Sequence, residues 1–487
     1  MNKRVLHFFG IFLVFIGGCQ CIPLIFALAF GEYREAGAFL ISIAICLVPG
    51  IAVRTCFRTA VSDEKLGLRD SYCIVAVSWI LASIFGALPF MLTGVTDDYF
   101  LAFFETASGF STTGATIFPQ VEALPHCILI WRALTQWLGG MGMIVLFFAL
   151  LPKFGVKASR ISNAETPGPI QRKLTSHYAN TAQYFYYAYI ILTIVLAVLL
   201  KIGGMSFFDA IAHALTTLAT GGFSTHTGGL SYFDSSYIYC VIGIFAFIAG
   251  TNFALFFDLL AGKFKSIIKD EEFRFYLLII LCSTLLISSY LKATGAMDSF
   301  FSSLSSALFV TLNTLSTLGF EVGNFTMPPF CLFILIFLMM IGGCSSSTSG
   351  GIKVSRLLML FKAVKKEIRQ RIYGTVTDNT KYNNKKIDKN NVDYILSFTI
   401  LFTVVVGIAT IIISAFGGGD VLNNLLSVLS CIGNQGPSFD NFGLTCNYFT
   451  DSRICIITYT FVMIAGRLEI ATFLVLFSSH FWNPNKA

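Results

Sequence analysis

Four short segments of this chain share one chemistry: SGFSTTGA (108–115), TTLATGGF (216–223), NTLSTLGF (313–320) and SCIGNQGP (430–437). Aligned without gaps, each opens on a polar residue: Ser108, Thr216, Asn313 or Ser430. Two residues on stands a large apolar side chain, Phe110, Leu218, Leu315 or Ile432, and after it a small residue. A polar residue, a variable position and a glycine follow. These are Thr112, Thr113 and Gly114; Thr220, Gly221 and Gly222; Thr317, Leu318 and Gly319; Asn434, Gln435 and Gly436. Such sets hold no nucleophile with its base and no cluster of metal-ligating side chains. What they offer is backbone. Glycine adopts positive φ at little cost, so consecutive carbonyls can turn the same way. Rings of carbonyls contributed by several loops can replace the hydration shell of a cation.

The elements around these segments repeat as well. Each follows a short, partly apolar stretch suited to a half-helix: YFLAFFETA, FFDAIAHAL, SLSSALFVTL and VLNNLLSVL. Each is followed, 24–30 residues after its last glycine, by a second glycine inside an apolar span: Gly140, Gly250, Gly343 and Gly466. Helix, half-helix with glycine loop, helix: the unit occurs four times, and an internal repeat governs the architecture. Unpaired backbone groups in hydrocarbon cost several kcal/mol each, so irregular loops at membrane depth must be buried or line a water-filled cavity. Four equivalent loops around one axis meet that condition. Half-helices whose C-terminal, partially negative ends face the axis suit a cation.

That the chain lies in a membrane follows from its composition. It is 55% hydrophobic and 12% charged, with a mean hydropathy of +0.75, whereas soluble chains carry about 25% charged residues. Ten candidate spans lie near 5–30, 36–53, 71–93, 128–151, 182–202, 236–262, 274–292, 329–360, 393–416 and 453–480. The first could pass for a signal peptide, but no small-residue cleavage site follows it, so it is expected to stay as a helix. The expected fold is an all-α polytopic membrane protein of about ten transmembrane helices. Two N-terminal helices (1–70) precede four helix–pore loop–helix repeats around a central pore (71–180, 181–273, 274–392 and 393–487).

With both termini in the cytoplasm, the inner segments hold 27 of the 33 Lys and Arg. That asymmetry sets the topology by the positive-inside rule. Arg34, Arg132, Lys201, Lys292 and Arg453 fall to outer segments and helix ends, and Arg467 lies inside a span. The net charge of +7 is therefore a topology signal, and no nucleic-acid partner is expected. The run KAVKKEIRQR (362–371) reads as a stop-transfer flank. The thirteen Cys show no metal or disulfide spacing and read as small core residues. No HExxH, GxSxG, Walker or Rossmann pattern occurs.

The four-fold plan, the T-x-G motifs and the GNQG of the last repeat resemble the Trk/Ktr/HKT superfamily of potassium transporters. The two extra N-terminal spans look most like its TrkH/TrkG branch, and the resemblance covers nearly the whole chain. It implies that the twelve residues above form a potassium selectivity filter. Sodium-permeable members carry Ser at the first filter glycine, so an intact Gly114 points to potassium. Asn434 departs from the Thr of the other repeats and loosens the four-fold symmetry. The resemblance also implies a homodimer in the bacterial inner membrane and a cytosolic nucleotide-binding regulatory subunit of the TrkA type. Potassium would be the substrate, and no cofactor is expected on this chain.

The span from Pro329 to about Leu360 is too long for one crossing, and its middle reads Gly342, Gly343, Cys344, Ser345, Ser346, Ser347, Thr348, Ser349, Gly350 and Gly351. Gly is disfavoured in helices and Ser competes for backbone hydrogen bonds, so a broken helix with a midplane loop under the pore is expected. In the resembled family such a loop is the gate. Arg467, just after the fourth repeat's glycine, costs roughly 2.5–3.5 kcal/mol to insert centrally and needs partners. Carbonyls and hydroxyls of 343–350 suit it better than Glu469, which lies on another helix face. Glu105, Asp209 and His213 on the half-helices are expected to pack or cap. Two other functions compete. A secondary transporter would show paired interruptions in inverted halves, but the repeats run one way and only one span reads as broken. A membrane-embedded enzyme would need facing His and carboxylate sets, which are missing.

Overall fold

The computed structural model describes residues 3–57, 67–140, 142, 178–297, 299–321, 328–374, 381–383, 385–386, 389–440, 443–445, 448 and 452–482. Among them, six helices are long and apolar enough to cross a membrane: Lys3–Ala29, Tyr33–Cys56, Arg69–Leu92, Gln183–Ile202, Glu271–Ala293 and Asn390–Phe416. The first two are the N-terminal pair. They pack through small residues, since a Cβ on Gly10 would lie 2.8 Å from Gly50 O, the close approach that glycine permits between membrane helices. Gln20, fully buried, ties this pair to the first repeat by donating to Phe85 O at 3.4 Å. The other four are the leading helices of the repeats. Their outward side chains, among them Ile191, Leu281 and Ile411, are exposed as a lipid-facing surface requires.

Between leading and trailing helices stand four half-helices, Tyr99–Phe110, Phe207–Leu218, Phe300–Leu315 and Val421–Ile432. Each ends on the large apolar residue picked out in the sequence. The trailing helices are His126–Gly140, Ser236–Gly250, Pro329–Ile341 and Arg453–Arg467. Here the sequence expectation needs correction. These are expected as full spans with one break; beyond Gly140 the first passes into residues outside the described ones, and the described helices of the other three hold only 13 to 15 residues. At 1.5 Å per residue that reaches about 20–22 Å, short of the ~30 Å hydrocarbon core. After Gly250 the chain is extended at Thr251 and helical again over Phe253–Leu260. After Arg467 it bends by 120° before Ile470–Phe477. In the first and fourth repeats glycine meets half-helix backbone near these ends. A Cβ on Gly139 would fall 1.8 Å from Phe110 O, and one on Gly466 2.1 Å from Ile432 O. Gly466 thus matches Gly139 rather than Gly140, and Arg467 takes the place of Gly140.

Two small hairpins, Lys381–Tyr382 with Lys385–Lys386 and Ser438–Asp440 with Gly443–Thr445, interrupt the helical fold. Among the described residues no disulfide joins the twelve cysteines. The expected inner segment 152–180 lies mostly outside the described residues. Three charges are not where the topology count put them: Arg132, Lys353 and Arg356 are all buried in protein.

Candidate functional site

Each half-helix stops in the same way. The N–H groups of Thr113, Gly221, Leu318 and Gln435 donate back to the carbonyls of Ser108, Thr216, Asn313 and Ser430 at 2.8–2.9 Å. Those of Thr112, Thr220, Thr317 and Asn434 donate to Gly109, Thr217, Thr314 and Cys431 at 2.9–3.2 Å. This is the Schellman ending, which needs a left-handed residue just past the helix. That residue is Thr112 (φ 56°), Thr220 (53°), Thr317 (57°) or Asn434 (54°). Sequence reasoning placed positive φ at the glycines alone. It is present there too, at Gly114, Gly222, Gly319 and Gly436 (φ 70–94°), but the bend starts two residues earlier. Asn434, read as a departure, shares the conformation of the three threonines. Asn is enriched in the left-handed region, where a β-branched residue is an outlier.

The glycines bring the loops together. A Cβ on Gly114 would lie 2.2 Å from Gly221 O, one on Gly222 2.3 Å from Leu318 O, one on Gly319 1.6 Å from Gln435 O, and one on Gly436 2.3 Å from Thr113 O. First loop meets second, second third, third fourth, and fourth first. The twelve sequence-selected residues form a closed ring around one axis, with the C-terminal ends of four half-helices abutting it. Their polar side chains are fully or almost fully buried.

Side chains outside the motif hold the loops. Glu105 accepts from Ile117 N at 2.9 Å and Thr116 Oγ1 at 3.0 Å, and pairs with Arg132 Nε at 2.7 Å. Arg132 in turn donates to Ser224 O of the second loop at 3.2 Å and lies over the Phe223 ring at 4.1 Å. Glu105 therefore does more than pack its own half-helix. Asn313 both donates to Phe320 O and accepts from Phe320 N. Ser206 caps the second half-helix, and Asp209 accepts from Ser206 Oγ and Thr225 Oγ1, both at 2.6 Å, while His213 bonds Ser224 Oγ at 3.0 Å. At the outer rim Thr227 joins loops one and two through Glu122, donating from both N and Oγ1 at 2.5 Å. Burial raises the Glu122 pKa, yet these bonds and nearby His226 outweigh it and hold the carboxyl below its ordinary range.

Residues 342–351 lie against the deep end of the ring. Gly350 N donates to Thr317 Oγ1 at 2.9 Å, and Thr220 Oγ1 donates to Thr348 Oγ1 at 3.3 Å. A Cβ on Gly350 would fall 2.3 Å from Gly433 O. Cys344 N donates to Gly250 O at 2.9 Å, and Thr348 N to Ala249 O at 3.3 Å. Arg467 does partner this loop: Nη1 donates to Thr348 O at 2.6 Å, while Nη2 reaches Gly139 O and Gly140 O at 2.7 and 2.6 Å. Glu469 faces away, bound to Arg356 and to Tyr394 Oη.

Two loop contacts were missed in the sequence. Glu272, buried, accepts from Ser345 N at 2.5 Å and Ser345 Oγ at 2.7 Å, and from Tyr382 Oη of the first hairpin at 3.2 Å. The Lys353 ammonium, also buried, donates to Ser349 O and to the hydroxyls of Ser349 and Ser347. The sequence marks Glu272 only as the last of three consecutive acids before an apolar run, and Lys353 only as the first base after the Gly- and Ser-rich run. Among the described residues no group of three or more His, Cys, Asp or Glu is placed to hold a metal.

Repeated spans around a ring of carbonyls define a polytopic membrane transport protein. The comparisons narrow that class. The family model described as TrkH, cation transport protein, matches residues 36–484, and the chain belongs to that family of transporters, which are not enzymes. It is similar to the Trk system potassium uptake proteins TrkH and TrkG of Escherichia coli, at 32% and 31% identity over 99% of this chain and 99% and 98% of theirs. The crystal structure of the potassium transporter TrkH from Vibrio parahaemolyticus superposes with a TM-score of 0.87 at 30% identity, covering 99% of both chains.

Proposed function

We propose that this chain takes up potassium across the bacterial inner membrane through the ring of loops, with both termini in the cytoplasm. Residues 112–114, 220–222, 317–319 and 434–436 act as the selectivity filter, their carbonyls standing in for the ion's water. The loop 342–351, held by Arg467, is the gate. The protein works as a homodimer with a cytosolic nucleotide-binding regulatory subunit of the TrkA type that docks on the basic inner face.

The observation that carries this reading is the closed order of the ring, each glycine within van der Waals reach of the next loop's carbonyl. Carbonyl rings are a known means of selecting potassium, and the full-length relatives are named potassium uptake proteins. The gate reading is supported by the seat of 342–351 against Thr220, Thr317 and Gly433. Expressed with its regulatory partner, the chain should restore growth of a potassium-uptake-deficient bacterium on low potassium. No growth, with the protein shown to be in the membrane, would overturn the proposal.

A further inference from the structure

The ring is four-fold in backbone but not in what holds it. Gln136 lies in the trailing helix of the first repeat and is fully buried. Its Nε2 donates to Gly221 O at 2.6 Å, and its Oε1 accepts from Phe223 N at 3.1 Å. The amide is packed against the loop, for a Cβ on Gly221 would lie 2.4 Å from Gln136 Cδ. One side chain of the first repeat therefore grips the second loop on both sides of Gly222.

Gly221 O is one of four equivalent carbonyls, the others being those of Thr113, Leu318 and Gln435, each facing the neighbouring loop's glycine. Among the described residues no side chain donates to the other three. The corresponding helix positions, four before Gly250, Gly343 and Arg467, carry Ala246, Met339 and Met463. None of these can donate a hydrogen bond. The clamp is thus particular to one quarter of the ring.

We propose that Gln136 is a specificity-determining positioning residue, whose amide fixes the Gly221 carbonyl and so sharpens discrimination of potassium against sodium. This rests on the filter reading above. Two effects act in the same direction. A carbonyl held by an amide resists moving inward around a smaller ion. It also has one lone pair occupied, which lowers its field on the cation, and a weaker field disfavours the more strongly hydrated sodium. Selectivity depends on cavity size, on carbonyl field strength, or on both; the clamp serves either.

The test uses the purified full chain in lipid vesicles, with Gln136→Met, Gln136→Glu and Gly222→Ser. Met is the residue that repeats three and four already carry at this position, with similar length and no donor. Glu keeps the acceptor for Phe223 N and, when ionised, replaces the donor to Gly221 O by a negative charge that repels it and raises the local field. Two readouts are taken: inhibition of rubidium flux by sodium, and the rise in melting temperature caused by potassium relative to that caused by sodium. Both Gln136 variants should lose discrimination about tenfold, the loss expected from one buried hydrogen bond. The thermal readout reports binding even where a variant conducts poorly. Unchanged ratios in both Gln136 variants alongside a weakened Gly222→Ser overturn the inference and leave the filter reading standing. Unchanged ratios in all three overturn the filter reading itself.

Discussion

A side chain at any of the four ring glycines would strike a neighbouring carbonyl, but the room differs. Gly319 has the least, with 1.6 Å to Gln435 O against 2.2–2.3 Å at Gly114, Gly222 and Gly436. Positive φ adds roughly 1–2 kcal/mol for any L-residue with a Cβ. Gly114→Ser and Gly222→Ser should therefore conduct with weakened discrimination, read as stronger inhibition of rubidium uptake by sodium. Gly319→Ser should lose uptake altogether and lower the amount of protein in the membrane. Equal behaviour of all three would mean the loops do not approach as closely as described. The glycines were legible because they recur in register. Gln136, Glu272 and the Glu105–Arg132 pair were not, since none of them recurs in register across the repeats and each partner lies 27 or more positions away.

The loop between Ile341 and Val354 is the element with most at stake. Its Gly and Ser residues carry high backbone entropy, about 1–2 kcal/mol per ordered residue, so its seat depends on external bonds. Arg467, Glu272 and Lys353 supply charge-assisted ones, each of about 1.5–3 kcal/mol. Deleting Ser345–Ser349, or making Arg467→Ala, should raise basal rubidium flux without the regulatory partner by about tenfold per 1.4 kcal/mol lost. Arg467→Ala also removes a positive charge near the permeation path, and the deletion, which keeps that charge, separates the two effects. Glu272→Gln, which removes the charge on the Ser345 anchor, should raise basal flux in the same assay. Flux in the deletion at or below that of the unmodified protein would show that this loop is not the gate. The break here was readable from ten consecutive small and polar residues. The breaks after Gly250 and Arg467 were not, because IAGTN and IAGRL continue apolar runs and the groups packed at their glycines, Tyr276 Oη and Ser316 at Gly250 and the Ile432 carbonyl at Gly466, lie 26 or more positions away.

For the molecule as a whole, composition and the spacing of apolar runs were enough to give the class, a helical polytopic membrane protein, and the count of basic residues proposes an orientation. Hydropathy overstated the trailing helices, since it measures apolar length and is blind to where a helix must stop to clear another backbone. The orientation has its own test. In a chain without its native cysteines, Asp97→Cys in an outer loop should react with an impermeant thiol reagent added to intact cells. Lys365→Cys, on the exposed face of the basic helix Val354–Tyr373, should react only after lysis. The reverse pattern would invert the topology.

The contact that completes the ring joins its most distant members. Asn434 Nδ2 donates to Thr113 Oγ1 at 3.0 Å across 321 residues, and Tyr448 N donates to Thr116 O at 2.8 Å. A ribosome adding about 5–20 residues per second needs on the order of half a minute to cover that distance. During that interval the second and third repeats are still being made, and the first loop waits without the partner that closes the ring. The pore is therefore a product of the last stretch of synthesis, and a chain released before Gly436 is a set of helices with a gap in its wall.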